Sequence, residues 1–180
     1  PNLQNIPVKT EVGRKIRYGF KAGEGKKLVG IDYSQIELRL LAHFTQDETL
    51  INAFNNHLDI HYETACKLFG QEKALEQRSI AKTVNFGILY GMGSRKLSQT
   101  LGISLQEAKR IIDDYFCAFN SVQSYFEEIK RQVHEQGYVQ TLLGRRRYFD
   151  FNGATAMQIA SFEREAVNAI FQGSAADLIK

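Results

Sequence analysis

Residues 78–91 read RSIAKTVNFGILYG, and within them Arg78, Lys82, Phe86 and Tyr90 recur at intervals of four. A helix turns about 100° per residue, so the four side chains follow one gently drifting stripe about 18 Å long. One face of the predicted helix therefore presents two cations followed by two aromatic rings. The alternative is an amphipathic core helix whose cations lie at its margin.

The order of side chains on this stripe suits a nucleoside triphosphate. Phosphates require positive charge, and the base and sugar require a flat apolar surface. Gly87 lies beside Phe86 and lowers helix propensity by about 1 kcal/mol relative to Ala. Its presence favours a close packing partner at this point of the helix.

Outside this segment, the pattern predicts a mostly helical chain. Both prolines, Pro1 and Pro7, lie at the start, and a long stretch without proline favours helices. Apolar periodicity predicts helices near 47–55, 60–69, 74–90, 94–100, 104–117 and 120–136, and another from about 155 to about 170, with Gly173 starting a further one. Residues 138–142 alternate like a strand, Gly144 predicts a turn, and 146–149 would return as a hairpin. The predicted fold class is a predominantly helical α+β fold.

The first part of the chain differs in character. Residues 1–27 lack a sustained period and predict an extended, turn-rich, basic lead-in. Residues 28–31 form a short apolar run that predicts a buried strand ending at Asp32. Ser34 and Glu37 have capping-box spacing for the helix that follows. A carboxylate at a strand end suits Mg²⁺, which prefers oxygen ligands, although Asp32 capping that helix is the alternative.

Composition excludes some classes of protein. The 180 residues are 43% apolar and 24% charged, as in a globular protein. The sequence has no apolar run of about 18 residues and no signal peptide, so we expect a soluble, intracellular protein, and its two ends predict a piece of a longer polypeptide. Cys66 and Cys117 lack zinc-site spacing and are expected to be buried thiols. The four histidines form no metal-binding cluster.

Two basic runs and one polar triplet are candidate nucleic-acid contacts. The runs 14–17 and 145–147 suit phosphate-backbone contacts, and solvated surface charge is the alternative for each. The triplet Gln172-Gly173-Ser174 places an amide where it could meet a minor-groove base edge, or it is simply a turn. The net charge of +3 is too small to argue nucleic-acid binding by itself.

Taken together, these segments resemble the family A DNA polymerases, the bacterial DNA polymerase I group, over essentially the whole chain. Residues 1–7 (PNLQNIP) resemble the lead-in to the palm, 32–39 (DYSQIELR) motif A, and 78–91 motif B, the O helix of the fingers; 144–148 (GRRRY) and 172–177 (QGSAAD) complete the order. The resemblance implies part of the polymerase right-hand fold, a partial palm sheet plus helical fingers. It implies a palm segment over 1–45, fingers over 46–136 with the motif B helix at about 74–90, and a return to the palm over 137–180, without the C-terminal part of the palm.

The resemblance also implies residue roles. Asp32 would bind both catalytic Mg²⁺ ions and Tyr33 would contact metal through its carbonyl; Lys82 would act with Asp32 in catalysis. Glu37 would be the steric gate that leaves no room for a 2′-hydroxyl. The implied nucleotide-binding residues are Gln35, Glu37, His61, Arg78, Lys82, Phe86 and Tyr90, and the implied DNA-binding residues are Asn5, Arg17, Arg145, Arg146 and Gln172.

The implied reaction is attack of a primer 3′-hydroxyl on the α-phosphate of a dNTP, with two metal ions activating the nucleophile and neutralising the leaving pyrophosphate. The family's second metal-binding aspartate belongs to a later His-Asp-Glu motif, expected beyond the last residue. Residues 132–135 (QVHE) are interpreted as an ordinary helix face. The alternative function is therefore a DNA- or nucleotide-binding module without catalysis. The expected partners are primer-template DNA and dNTPs, with no membrane, and the resemblance implies a monomer in the bacterial cytoplasm, although viral and organellar relatives share the motifs.

Overall fold

The structure, a computed structural model, describes residues 6–7 and 10–180. Over these residues the chain forms nine α-helices and one antiparallel hairpin. In chain order they are α1 (Glu11–Arg17), α2 (Ile36–Thr45), α3 (Glu48–Asn55), α4 (Ile60–Phe69), α5 (Ala74–Leu89), α6 (Ser94–Leu101), α7 (Leu105–Ala118), α8 (Asn120–Gln136), β1 (Tyr138–Gln140), β2 (Arg146–Tyr148) and α9 (Ala156–Ile179). A predominantly helical fold with a small sheet is thus confirmed.

The chain divides into two compact units, 1–34 and 35–180. The division into palm, fingers and returning palm segments stays a prediction. In the first unit, α1 was not predicted. The Thr10 hydroxyl accepts a hydrogen bond from the Gly13 amide at 3.1 Å, and Glu11 in the first turn favours this end of the helix. Two turns of helix are too short to show the sustained period on which the prediction relied.

The buried strand predicted over 28–31 is wrong. These residues lie outside any helix or strand, and Leu28, Val29 and Ile31 are 68%, 79% and 86% exposed. A strand requires a neighbouring strand for its backbone hydrogen bonds, and the only sheet within the described residues is the β1–β2 hairpin. The apolar run therefore forms no ladder with any described strand.

The capping box predicted at Ser34 is also wrong. The N-cap of α2 is Gln35, which has φ of 54° and makes no capping hydrogen bond with its side chain. A capping box needs the Glu37 carboxylate to reach back to the N-cap amide. That carboxylate instead accepts a hydrogen bond from the Tyr90 hydroxyl, 53 residues away.

The core of the second unit lies where α2 packs against α8 and α9 and where α4 packs against α5. Its largest fully buried side chains are Tyr115, Phe119, Phe171, Leu38, Leu41, Leu50, Ile60, Leu89, Leu97 and Ile129. The helices predicted from 47 to 136 are confirmed to within about two residues at their ends. Cys66 is half-buried and Cys117 is exposed, so the prediction of two buried thiols is wrong.

The predicted hairpin is confirmed. Tyr138 lies opposite Tyr148 and Val139 opposite Arg147. The connection turns through Gly144, whose φ of 88° suits glycine, and the Gly144 amide donates to the Thr141 carbonyl at 3.0 Å. The hairpin thus folds back on itself before the chain enters α9.

The last helix runs unbroken through Gly173 from Ala156 to Ile179, so the predicted break near 170 is wrong. A helix tolerates an internal glycine at a cost of about 1 kcal/mol. Here the glycine allows the hairpin to approach closely, since a Cβ at Gly173 would lie 2.6 Å from Thr141 Cγ2. Packing against the hairpin, and not a chain turn, explains this residue.

Candidate functional site

The predicted stripe lies on the outer side of α5. Arg78 and Phe86 are half-buried, Lys82 and Tyr90 are exposed, and the Phe86 and Tyr90 rings stack with centroids 6.3 Å apart. The opposite side of the helix is buried by Ala81, Val84, Ile88 and Leu89. Phe86 packs at the edge of the core, and Arg78, Lys82 and Tyr90 lie outside the core. The surface offers cationic and aromatic groups in the predicted order.

The packing partner predicted at Gly87 is Met92, which belongs to the loop after α5. A Cβ at Gly87 would lie 3.0 Å from Met92 Sδ. The next turn is equally close, because a Cβ at Gly91 would lie 2.9 Å from Arg164 Cγ on α9. The two glycines therefore allow the loop after α5 to pack closely against α5 and α9. Beside this loop lies a cavity of about 280 Å³, which is lined by Ile88, Met92, Phe116, Phe126 and Val167.

The first cation of the stripe, Arg78, is paired within the protein. Its Nε lies 2.5 Å from Asp59 Oδ2, and the same carboxylate caps α4 by accepting from the His61 and Tyr62 amides at 3.0 and 3.3 Å. Partial burial opposes ionisation of Asp59, but the Arg78 hydrogen bond and the two amides together hold the pKa of this carboxyl below its usual value. Asp59 thereby fixes the guanidinium at the start of the stripe.

The second cation, Lys82, lies one helical turn further along α5. It forms no ion pair with any residue that the structure describes. An exposed ammonium on a rigid helix offers up to three donors to an anion. Lys82 is therefore the cation of the stripe that is available to a ligand.

His61 lies beneath the stripe. Its side chain is only 3% exposed, its ring centroid is 5.6 Å from that of Phe86, and its Nδ1 is 3.1 Å from Asn85 Nδ2. Burial lowers its pKa, and Arg78 and Lys82 lower it further against the opposing effect of Asp59. The imidazole is therefore neutral at pH 7.

The end of the stripe joins α5 to α2 and α9. The Tyr90 hydroxyl donates to Glu37 Oε2, and the Tyr90 carbonyl accepts from Asn168 Nδ2 at 3.4 Å. Burial and the Glu37 carboxylate raise the pKa of Tyr90 to about 12. Nearby in the chain, Gln35 combines a positive φ with a buried Oε1 that has no partner among the described groups. Strained backbone and unsatisfied acceptors are concentrated at functional sites.

Three predicted residues belong to the first unit. Asp32 and Tyr33 are exposed in the segment that follows Ile31, outside any helix or strand, and Arg17 is exposed in the last turn of α1. The Asp32 carboxylate is a hard oxygen donor of the kind Mg²⁺ prefers. Within 6–7 and 10–180, no three His, Cys, Asp or Glu side chains group closely enough to hold a metal ion. Asn5 lies outside the described residues.

A second group of predicted residues surrounds a groove of about 250 Å³ between the hairpin and α9, whose lining includes Arg145, Arg146 and Gln172. Arg146 stacks over the Tyr138 ring at 4.6 Å, and Gln172 is exposed. The structure therefore brings these three residues together. The prediction that residues 132–135 (QVHE) form an ordinary helix face agrees with the structure. They lie in α8, and His134 pairs with Glu163 at 2.9 Å.

Arg145 is held by α9. Its Nε donates to Asp177 Oδ1 at 2.9 Å and its Nη2 donates to the Gly173 carbonyl at 3.0 Å. Thr141 Oγ1 donates to the other oxygen of Asp177 at 2.6 Å, and the Thr141 and Arg145 hydrogen bonds lower the pKa of that carboxyl. Sequence reasoning did not single out Asp177, although it lies in the segment 172–177 that carried the resemblance.

The sequence model of the family described as "DNA polymerase family A" matches residues 1–180. The chain belongs to DNA polymerase family A. It is 55% identical over 181 residues to DNA polymerase I of Helicobacter pylori and 48% identical over 184 residues to the thermostable DNA polymerase I of Thermus aquaticus. These alignments cover the whole chain but only 20% and 22% of the relatives, so the chain spans about a fifth of their length.

A solved structure is also similar to this family A chain. It is the POL domain of Pol1 from M. smegmatis in complex with DNA primer-template and dNTP, with a TM-score of 0.86 and 42% identity over 99% of this chain and 32% of that one. The resemblance inferred from the motifs is therefore confirmed, as is the fold as part of a polymerase domain. No helix among the described residues is long and apolar enough to cross a membrane.

Proposed function

We propose that this chain is the nucleotide-selecting part of a DNA polymerase, an enzyme that transfers a nucleotide from a dNTP to a primer 3′-hydroxyl opposite a template. The observation that carries the proposal is the stripe on α5. There the Arg78 guanidinium, held by Asp59, and the Lys82 ammonium, which has no ion-pair partner among the described residues, precede two stacked rings. The similarity to a POL domain solved with primer-template and dNTP supports it. On this proposal 1–45 is a palm segment, 46–136 the fingers and 137–180 the return to the palm.

The stripe would bind the dNTP along its length. Lys82 would contact the phosphates directly, and Arg78 would add charge from the position fixed by Asp59. Phe86 would stack near the base and sugar, and Tyr90 would close the site at its far end. The protein would thus orient the α-phosphate for attack and stabilise the charge that develops on the leaving group.

Glu37 would act as the steric gate. The Tyr90 hydroxyl holds its carboxylate, so the side chain is kept in one place at the end of the stripe. A fixed side chain against the sugar leaves no room for a 2′-hydroxyl, which would disfavour ribonucleotides. Gln35 would contribute from the start of the same helix, where its Oε1 has no partner among the described groups.

Asp32 and the Tyr33 carbonyl would hold two Mg²⁺ ions. The fit rests on the chemistry of these donors, an exposed carboxylate and a carbonyl oxygen. When bound, such ions supply activation of the attacking oxygen and neutralise the leaving pyrophosphate. The role of this chain in metal binding would be to present the Asp32 carboxylate.

The hairpin groove would contact the primer-template. Gln172 and Arg146 line it with exposed polar and cationic groups, which suit a minor-groove edge and a phosphate. Arg17 and Asn5 would also be DNA-binding residues. Arg145 would act mainly through the hairpin, since Asp177 and Gly173 already engage its guanidinium. The enzyme would work as a monomer in the bacterial cytoplasm.

A second candidate is a nucleotide- or DNA-binding module without catalysis. It rests on the same stripe, whose cationic and aromatic groups suit nucleotide binding without any chemical step. The two candidates differ in a direct assay. The full-length polymerase that carries this chain should extend a primer with Mg²⁺ and dNTPs if the first candidate holds, and should bind dNTP without extension if the second holds.

The proposal is tested by primer extension with the full-length polymerase that carries this chain. Asp32→Asn should reduce extension by about 10²-fold or more while primer-template affinity stays unchanged. Glu37→Ala should reduce the preference for dNTPs over rNTPs by about 10–200-fold, with Glu48→Ala, on the exposed first turn of α3, as the matched control. Normal extension by Asp32→Asn would refute the proposed reaction.

A further inference from the structure

Behind the stripe, α4 and α5 share a chain of three polar side chains. Thr64, Asn85 and His61 are 0%, 0% and 3% exposed. Thr64 and His61 lie on α4. Asn85 lies on α5, between Lys82 and Phe86 in sequence, but its side chain is on the buried side of the helix. Burying an amide is costly unless it is hydrogen-bonded, so the hydrogen bonds among these three side chains are needed to keep Asn85 in the interior.

The direction of each hydrogen bond follows from the first one. Thr64 Oγ1 lies 2.8 Å from the Ile60 carbonyl and 3.2 Å from Asn85 Oδ1, and it donates its single proton to the nearer acceptor, the Ile60 carbonyl. The hydroxyl is therefore an acceptor for Asn85 Nδ2, which lies 3.0 Å away. The same amide nitrogen lies 3.1 Å from His61 Nδ1 and directs its other proton there.

An amide NH₂ can only donate, so His61 Nδ1 must accept. A neutral imidazole that accepts at Nδ1 carries its proton at Nε2. The charged groups around the ring are Asp59, Arg78 and Lys82, and burial together with the two cations disfavours the imidazolium. His61 is therefore held as a neutral ring with one donor, and that donor is Nε2–H.

We propose that Asn85 is a positioning residue for nucleotide binding: it fixes His61 in the Nε2-protonated tautomer, so that the ring presents a donor to a dNTP phosphate. This inference rests on the proposed function of the stripe. Asn85, on the buried side of α5, would thus fix the His61 Nε2–H group as a hydrogen-bond donor to the phosphate of the same dNTP that Lys82 binds on the outer side. Thr64 would orient Asn85 in turn.

The probe is a correct dNTP, bound by the full-length polymerase carrying this chain on a primer-template. Asn85→Leu keeps the approximate shape of the side chain and removes its donor. It should weaken dNTP binding by about three- to tenfold, the effect of one hydrogen bond, with primer-template affinity unchanged.

A double-mutant cycle with His61→Gln separates positioning from packing. If Asn85 acts through His61, Asn85→Leu should have little further effect on dNTP binding in the His61→Gln background. An equal loss in both backgrounds would overturn the proposal. Thr64→Val, which removes the hydroxyl that accepts from Asn85 Nδ2, should lose part of what Asn85→Leu loses.

Asn85→Asp gives a second, pH-dependent readout. A carboxylate would accept a hydrogen bond from Nδ1–H and favour the imidazolium, so dNTP binding should strengthen as the pH falls from about 8 to about 6. The wild-type enzyme should show no such change from His61, whose pKa is lowered. A flat profile for Asn85→Asp would count against the assigned contact.

The failure of this inference can be distinguished from failure of the proposed function. The ¹⁵N shifts of the histidine ring nitrogens, measured in the chain without nucleotide and assigned with His61→Gln, report the tautomer directly. We expect an unprotonated Nδ1 and a protonated Nε2; the reverse would overturn the inference alone. Loss of dNTP binding by Lys82→Ala tests the stripe independently.

Discussion

Gly173→Ala tests how closely the hairpin packs on α9. In an isolated helix this change would stabilise the protein by about 1 kcal/mol. Here the new methyl group would lie 2.6 Å from Thr141 Cγ2 and 3.2 Å from Arg145 Nη2, whereas carbon atoms normally pack at about 3.5–4.0 Å. The overlap with Thr141 is about 1 Å, and the backbone of α9 cannot move aside without disturbing the helix.

The expected free-energy change follows from three effects. Overpacking of this kind costs about 1–3 kcal/mol. Displacing the hairpin would also weaken the bond from Arg145 to the Gly173 carbonyl or the bond from the Leu142 amide to Ser174 Oγ, at about 1 kcal/mol. After the gain in helix propensity, the net loss of stability should be about 1–3 kcal/mol.

The assay is urea unfolding of the chain followed by circular dichroism, with two matched variants. Thr141→Ser removes Cγ2 but keeps the hydroxyl that donates to Asp177, so it should recover most of the loss in the double variant. Gly87→Ala meets only the flexible Met92 side chain and should be neutral or slightly stabilising. A Gly173→Ala protein about 1 kcal/mol more stable than the wild type would refute the reasoning.

Two further predictions concern the stripe. Asp59→Ala should lower the free energy of unfolding by about 1 kcal/mol because α4 loses its cap, whereas Asp59→Asn keeps a capping oxygen and should lose only a few tenths; equal losses in urea unfolding would contradict this. Because the pKa of Tyr90 is raised to about 12 from an ordinary value near 10, its contribution to stability is present below about pH 10 and lost as the pH rises toward 12. Tyr90→Phe should therefore show a smaller loss of stability over that range, and identical losses would exclude this role for the Glu37 hydrogen bond.

The helices could be predicted from the sequence where their periodicity is local. The segments that became α3 to α8 carry their own apolar stripes and stop signals, so their bounds followed closely. The run 28–31 could not be placed in this way, because an apolar run is buried only if something covers it, and Ile31 is 86% exposed. Gly173 was similarly misinterpreted, because its reason lies in Thr141, which is distant in sequence.

The site shows the same division. The spacing of Arg78, Lys82, Phe86 and Tyr90 predicted one shared face, and the structure confirms it. Spacing could not predict that Arg78 is engaged by Asp59 while Lys82 has no such partner within the described residues, since that difference depends on how α4 packs on α5. The burial of His61 depends on the same packing.

The central claim is that the outer face of α5 binds the dNTP, with Lys82 as the direct phosphate contact. The most direct test measures the equilibrium dNTP affinity of the full-length polymerase on a primer-template for Lys82→Ala and for Lys73→Ala. Lys73 is exposed at the N-cap of the same helix and makes no capping bond with its side chain. We expect Lys82→Ala to weaken dNTP binding by about 10–100-fold, the effect of a charged hydrogen bond, and Lys73→Ala to leave it unchanged. Equal dNTP affinity for Lys82→Ala and the wild type would contradict the account.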